Sequence, residues 1–98
     1  ELKVYAQANN AEVFHYKDST NLEVDAIVQK RNGDWAAFEV KLGTGQIEDA
    51  AKKLLHFNSI IDTTKSKLPQ SLNVITGTGM SYRRPDGINV ISLAALGK

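Results

Sequence analysis

The chain has 98 residues, 42% of them hydrophobic and 23% charged, with a formal net charge of +1. This composition excludes two separate hydrophobic cores, intrinsic disorder and a fibrous protein. Without cysteine the chain has no disulfide bond or thiolate metal site, and it has no run of about 18 apolar residues that could cross a membrane. We therefore expect residues 1–98 to form one domain, and the lack of cysteine favours a cytoplasmic location.

Charge is distributed unevenly along the chain. Residues 1–49 contain nine acidic and five basic side chains, whereas residues 50–98 contain two acidic and seven basic ones. A basic second half is compatible with an anionic partner. An ordinary solvated surface explains the same asymmetry.

The first predicted elements are a helix and a short strand. The spacing of Leu2, Tyr5 and Ala6, followed by two asparagines, predicts the last turns of a helix over residues 1–10. We expect that helix to begin upstream of this chain. Residues 12–17 are then predicted to form a strand that ends in a DSTN turn.

Two longer strands follow and are predicted to pair as a hairpin. Residues 22–30 (LEVDAIVQK) and 34–42 (DWAAFEVKL) flank Asn32 and Gly33, a dipeptide typical of tight β-turns. Their even-numbered residues are mostly apolar, and their charged residues fall mostly on odd numbers. One face of the hairpin is therefore predicted to be apolar and the other polar.

The register of this hairpin decides which side chains share a face. A two-residue loop would pair odd with even residues and mix the two faces. A three-residue loop that ends with Gly33 in the left-handed conformation pairs Lys30 with Asp34 and keeps the polar residues together. This register places Asp25 directly opposite Glu39.

The facing carboxylates of Asp25 and Glu39 should repel each other, so a positive group is expected between them. Lys41 is one candidate, and a divalent cation such as Mg²⁺, which prefers oxygen ligands, is the other. Such a cation would polarise a phosphoryl group and lower the pKa of an attacking water. Lys41 would then stabilise the developing negative charge or orient the water. A surface ion-pair cluster of little energetic consequence explains the same residues.

The second half of the chain begins with a helix after Gly43. Its predicted N-cap is Thr44 or Gly45, and Glu48 and Asp49 lie in its first turn. Its predicted apolar face consists of Ile47, Ala50, Ala51, Leu54 and Leu55. Two i,i+4 ion pairs are expected on its solvent side, Glu48 with Lys52 and Asp49 with Lys53.

Further strands complete the predicted fold. Residues 71–76 (SLNVIT) are predicted to form a buried strand, and residues 81–84 and 88–93 a hairpin around a type I turn at residues 84–87. The helix between the third and fourth strands is the crossover that parallel pairing requires, and it should be right-handed. The predicted fold class is α/β, an α+β mixed sheet with helix, three-strand antiparallel meander, crossover helix and further strands.

Three segments resemble a known family: residues 24–28 (VDAIV), 38–47 (FEVKLGTGQI) and 74–96 (VITGTGMSYRRPDGINVISLAAL). Together they resemble the C-terminal domain of unknown function of prokaryotic AAA-type ATPases, over residues 13–96. In that family a P-loop ATPase domain precedes this one, so the resemblance implies the C-terminal part of a longer ATPase. The family's domain is similar to the PD-(D/E)XK nuclease superfamily, which implies a restriction-endonuclease-like core.

The resemblance also implies a metal-dependent nuclease site. Asp25 matches the metal-binding aspartate of the superfamily, and Glu39 and Lys41 match its (D/E)-x-K element. The implied ligands of Mg²⁺ or Mn²⁺ are Asp25, Glu39 and Val40. Gln46 resembles the glutamine that some members place beside the site, and a polar role at the start of the helix fits Gln46 equally well.

Two features depart from the superfamily pattern. The tyrosine that accompanies the glutamine in those members is replaced here by Ala50. The acid that many superfamily nucleases add from their first helix is expected upstream of Glu1, which leaves the activity of this chain by itself open.

Two functions are compatible with these observations. The first is metal-dependent phosphodiester hydrolysis of nucleic acid, with DNA as a possible partner and Arg83 and Arg84 gripping phosphates. For these arginines, an ion pair with Asp86 or another acidic group is an equal alternative. The second function is a non-catalytic module that binds a protein or a nucleic acid for the attached ATPase.

Overall fold

A six-stranded sheet and one long helix make up most of the computed structural model, which describes residues 11–96. The elements in chain order are β1 Ala11–Lys17, β2 Glu23–Lys30, β3 Trp35–Val40, a 3-10 turn Thr44–Gln46, α1 Ile47–Ser59, β4 Ser71–Thr76, β5 Tyr82–Arg83, β6 Asn89–Ser92 and the single turn α2 Leu93–Leu96. The helix predicted over residues 1–10, with Glu1, lies outside the described residues. No helix within residues 11–96 is long and apolar enough to cross a membrane.

The sheet is mixed, with the strand order β1-β2-β3-β4-β6-β5. The first three strands pair antiparallel, β4 lies parallel to both β3 and β6, and β5 returns antiparallel on β6. The chain crosses from β3 to β4 through α1, as a parallel pair requires. The predicted mixed sheet, the parallel pairing of β3 with β4 and the final hairpin are thereby confirmed.

The three hairpin loops share one conformation. In each, the amide of the residue before the loop donates a hydrogen bond to the carbonyl oxygen of the residue four positions later. The pairs are Asp18 with Leu22, Lys30 with Asp34, and Arg84 with Ile88. The third loop residue has a positive φ in every case: Asn21 (69°), Gly33 (94°) and Gly87 (89°). The three-residue loop predicted at Gly33 is therefore confirmed, and with it the register of β2 and β3.

The hydrophobic core lies between α1 and one face of the sheet. Its fully or almost fully buried members are Val24, Ala37, Ala50, Ala51, Leu54, Phe57, Val74 and Ile88. On β3 this face carries the odd-numbered residues, because Ala37 and Glu39 are completely buried whereas Val40 is exposed. The predicted division into an apolar even face and a polar odd face is thus wrong for β3. Small alanines on both elements let α1 approach the sheet closely, which covers the odd face.

A β-bulge interrupts β2 beside the predicted site. The pairing of β1 with β2 shifts register between Phe14 and Tyr16, so that residues 25–26 of β2 oppose a single residue of β1. Val24 and Ile27 consequently both pack on the core, although a regular strand would send residues three apart to opposite faces. Bulges of this kind redirect side chains, and this one lies at the predicted metal ligand Asp25.

Asp18 fixes the loop between β1 and β2. Its Oδ1 accepts hydrogen bonds from the Thr20 hydroxyl at 2.6 Å, the Thr20 amide at 2.9 Å and the Leu22 amide at 3.2 Å. Its Oδ2 accepts a hydrogen bond from the Tyr16 hydroxyl at 3.0 Å. The hydrogen bonds from Thr20, followed by those from Tyr16 and Leu22, lower the pKa of Asp18.

We predict that Gly33→Ala lowers the free energy of unfolding by about 1 kcal/mol, because a side chain is strained at a φ of 94°. Steric contact is not the cause, since the nearest atom to an added Cβ would be Lys67 Nζ at 3.9 Å. Gly33→Asn should lose less, because Asn21 holds the same position in the first loop. Urea denaturation of the three proteins measures the difference, and equal losses would contradict the prediction.

The lowered pKa of Asp18 predicts a pH-dependent contribution to stability. Its carboxylate stabilises the folded state above the unfolded pKa near 3.8, and the contribution is lost as the pH falls through the lower folded pKa. The stability difference between the wild-type chain and Asp18→Asn should therefore be largest above that pH and shrink in acid. Thermal unfolding across the acid range measures it, and a constant difference would exclude this role of the charge.

Candidate functional site

β2 and β3 stop pairing where the predicted acidic residues begin. The last paired residues are Ala26 and Phe38. Beyond them the Asp25 amide donates a hydrogen bond to Glu39 Oε1, and the Val40 amide donates one to Asp25 Oδ2, both at 2.9 Å. Each carboxylate thus accepts a hydrogen bond from a backbone amide of the neighbouring strand, in the place where a regular sheet would use a backbone carbonyl. The structure therefore brings Asp25, Glu39 and Val40 together.

The two carboxylates lie in different environments. Asp25 is exposed, whereas the side chain of Glu39 is completely buried beneath α1. Glu39 Oε2 lies 2.7 Å from Nζ of Lys53, a residue of α1 whose side chain is 31% exposed. Oε2 is thus charge-paired with Lys53 and has no other polar partner among residues 11–96. A buried carboxylate requires such a partner, because an unpaired charge is costly in an apolar interior.

The positive group beside Glu39 is thus Lys53, a residue that the sequence analysis placed on the solvent side of the helix. Lys41, one of the two predicted positive groups, is half-buried and directly follows β3; its amide donates a hydrogen bond to the carbonyl oxygen of Ile75 at 2.8 Å. Lys41 takes part in none of the ion pairs found among the described residues. A catalytic role for Lys41 stays a prediction.

One protein-family model covers almost the whole chain. The family model described as "Domain of unknown function (DUF4143)" matches residues 1–96. The chain belongs to this family. No curated protein and no solved structure matches the chain. Because the family description states no activity, the function of this DUF4143 domain has to be argued from its site.

The start of α1 differs from the sequence prediction. The DUF4143 domain enters α1 through the 3-10 turn, so that Gln46, and not Thr44 or Gly45, occupies the N-cap position. Short 3-10 turns are common at helix N-termini. Gln46 is exposed and makes no capping hydrogen bond through its side chain. Its proposed place beside a metal site stays a prediction.

The two predicted i,i+4 ion pairs on α1 are wrong. Lys53 turns inward to Glu39, and Glu48 pairs with Arg84 at 3.2 Å. Neither predicted pair occurs among the ion pairs of residues 11–96. Exposed pairs of this type are worth only a few tenths of a kcal/mol, so tertiary partners override them easily.

Arg84 forms the ion pairs that were one of its two predicted roles. Besides Glu48 it contacts Asp86 at 3.2 Å, and only 18% of its side chain is exposed. The hydrogen bonds with Glu48, and next those with Asp86, raise the pKa of the Arg84 guanidinium. Arg83 lies exposed on β5 and remains the arginine that a phosphate could reach.

The donor atoms at the carboxylates fit a hard divalent cation. No group of three His, Asp or Glu side chains is placed to hold a metal ion within the part of the chain that the structure describes. Mg²⁺, however, is often held by only one or two carboxylates and completes its shell with water. Glu39 Oε2 already faces a cationic group, Lys53 Nζ at 2.7 Å, so its surroundings suit a positive charge.

A separate cavity of about 540 Å³ lies at the other end of β2 and β3. Three aromatic side chains line it, Tyr16, Trp35 and Phe57. The ring of Phe57 packs edge to face against Tyr16 and Trp35, with distances between ring centroids of 4.8 Å and 5.9 Å. Lys65 and Lys67 lie at its border. Neither carboxylate of the candidate site lines this cavity, so the two features are distinct.

We predict that Lys53→Met lowers the free energy of unfolding by about 2 kcal/mol, because it leaves the buried Glu39 carboxylate without a counter-charge. Lys52→Met is the matched control, since Lys52 is exposed and takes part in none of the ion pairs of residues 11–96. It should change stability by less than about 0.5 kcal/mol. Urea denaturation of the three proteins measures both effects.

A double-mutant cycle with Glu39→Gln separates the ion pair from other effects of Lys53. Because both changes remove the same interaction, the double variant should lose less stability than the sum of the two single variants. Strictly additive losses would show that the contact at 2.7 Å contributes nothing to stability.

Proposed function

We propose that this DUF4143 domain is a nuclease-like module that hydrolyses phosphodiester bonds of nucleic acid with the help of a divalent cation. The proposal depends on one observation: the carboxylates of Asp25 and Glu39 lie together where β2 and β3 separate, each held by a backbone amide of the other strand. Two carboxylate oxygens there accept no hydrogen bond from a backbone amide: Oδ1 of the exposed Asp25, and Oε2 of Glu39, which is ion-paired with Lys53. The carbonyl of Val40 is the third proposed ligand.

The order of the elements supports a restriction-endonuclease-like core as part of this proposal. The antiparallel meander β1 to β3, the crossover through α1 and the parallel strand β4 follow the order of the PD-(D/E)XK core named above. The two acids also occupy the strands that the resemblance assigns to them. Fold alone does not establish chemistry, so the proposal depends on the carboxylates.

Each proposed residue has a distinct part in the chemistry. A bound Mg²⁺ or Mn²⁺ would polarise the phosphoryl group and make a bound water more acidic. Asp25 and Glu39 would hold the cation, and the amides of Asp25 and Val40 fix the orientation of the two carboxylates through hydrogen bonds at 2.9 Å. Lys41, which directly follows β3, is proposed to orient the water or to stabilise the developing negative charge.

The setting of the domain is proposed from the sequence resemblance. We propose that it is the C-terminal module of a cytoplasmic P-loop ATPase and that its substrate is a nucleic acid, with DNA as the first candidate. The exposed Arg83 on β5 is available for a phosphate contact, whereas Arg84 is occupied by Glu48 and Asp86.

A non-catalytic binding module is the second candidate function. The ion pair between Glu39 and Lys53 favours it, because a carboxylate that is buried and neutralised by an ammonium is stable without a metal ion. In this reading the pair connects α1 to the sheet, and the domain recognises a protein or nucleic acid through another surface.

We predict that the full-length protein cleaves DNA or RNA only when Mg²⁺ or Mn²⁺ is present. Glu39→Gln should reduce the cleavage rate by about 100-fold or more, since it removes a charged ligand of the cation. Glu12→Gln, which changes an exposed acid on β1, is the matched control and should retain activity. Gel assays on labelled DNA and RNA measure cleavage, and circular dichroism verifies the fold of each variant.

Two results would reject the nuclease proposal. One is the absence of cation-dependent cleavage of either nucleic acid by the wild-type protein. The other is cleavage that Glu39→Gln retains in full, because it would come from a different site or a contaminant. Nucleic-acid binding without cleavage would then support the second candidate function.

A further inference from the structure

We propose that Lys53 occupies the position of the cation on Glu39, so that a divalent cation binds only by displacing the Lys53 ammonium. This role of Lys53 rests on the proposed function, because it concerns the same carboxylates. It makes Lys53 a positioning residue that sets the cation affinity of the site. None of the sequence motifs described above contains Lys53.

The hydrogen bonding of Glu39 leaves one place for a positive group. Oε1 accepts the hydrogen bond from the Asp25 amide at 2.9 Å, and Oε2 faces Lys53 Nζ at 2.7 Å. The side chain of Glu39 has no exposed surface, so a second cation has no separate approach to Oε2. Two positive groups on one buried oxygen would also repel strongly. Binding of a metal ion and retention of the ammonium therefore exclude each other.

Lys53 can leave Glu39 without a change in the fold. Its side chain is 31% exposed, and a flexible four-carbon chain carries the ammonium. Lys53 lies at the edge of the buried face of α1, so its ammonium can swing into solvent while Leu54 and Phe57 keep the helix on the sheet.

A second carboxylate is positioned to receive the released ammonium. Asp49 lies four residues before Lys53 on α1 and is exposed. An acid four residues before a lysine is the favoured order for an ion pair along a helix. Lys53 therefore has two alternative partners, Glu39 without the cation and Asp49 with it.

The test compares cation binding by the wild-type protein, Lys53→Met and Lys52→Met, each at full length and free of nucleotide. Mn²⁺ and Mg²⁺ are titrated while thermal unfolding is recorded, and Mn²⁺ binding is measured directly by electron paramagnetic resonance. Lys53→Met should be less stable than the wild-type protein without a cation and should bind Mn²⁺ about tenfold more tightly, because no charge-assisted contact has to be broken. Lys52→Met should behave as the wild-type protein does.

A structural role of Lys53 alone predicts a different result. In that case Mn²⁺ would raise the unfolding temperature of the wild-type protein and of Lys53→Met equally, which would overturn the proposal while leaving the cation site intact. No cation response in any of the proteins would overturn both this proposal and the proposed nuclease site. Tighter Mn²⁺ binding by Lys53→Met, together with no cleavage of nucleic acid, would support the displacement and reject only the nuclease.

Two further variants keep the test decisive. If Lys53→Met is unable to fold without a cation, its folding is measured with Mn²⁺ added. Restored folding supports the proposal, and a protein that stays unfolded contradicts it. Lys53→Gln, which keeps an amide donor for Glu39 and loses the charge, should fold and also bind Mn²⁺ more tightly than the wild-type protein. Asp49→Asn should weaken binding by roughly twofold, because the released ammonium loses its second partner.

Discussion

The burial of the Glu39 carboxylate beneath α1 is the constraint on which the arrangement of the site depends. A carboxylate without exposed surface is tolerated only when fixed donors and a counter-charge replace its hydration. Two parts of the chain meet this requirement together: the separation of β2 from β3 frees the Asp25 amide, and α1 brings Lys53. The carboxylate of Asp25 in turn accepts the hydrogen bond of the Val40 amide. The position of the helix on the sheet and the charge of the site are therefore linked.

Local chemistry explains which features could be predicted from the sequence. The loop at Gly33 requires a residue that tolerates a positive φ, and the same demand is met by Asn21 and Gly87. Because the loop fixes the register, the meeting of Asp25 and Glu39 followed from residues close in sequence. The bulge at residues 25–26 did not, since it arises from pairing with β1 and has no separate signal in β2.

Tertiary packing explains what the sequence analysis missed. The acid at Asp49 favoured a solvent-facing pair for Lys53, yet Lys53 also lies three residues after Ala50 and four before Phe57, both of which are buried. This spacing places it beside the apolar face of α1 and was the available signal. The apolar even residues of β3 were equally misleading, because the odd residues Trp35 and Ala37 pack on the core beneath the helix.

The presence of a charged pair at this position is itself informative. A buried ion pair is often no more stable than two apolar side chains of similar volume, so stability alone does not explain why Glu39 and Lys53 occupy the contact between sheet and helix. A leucine and a methionine would join the same elements without a desolvation cost. What they would not provide is the buried oxygen that the proposed exchange of cations requires. The two candidate functions differ in this single physical respect, since a binding module needs only the closed pair and a nuclease needs the exchange.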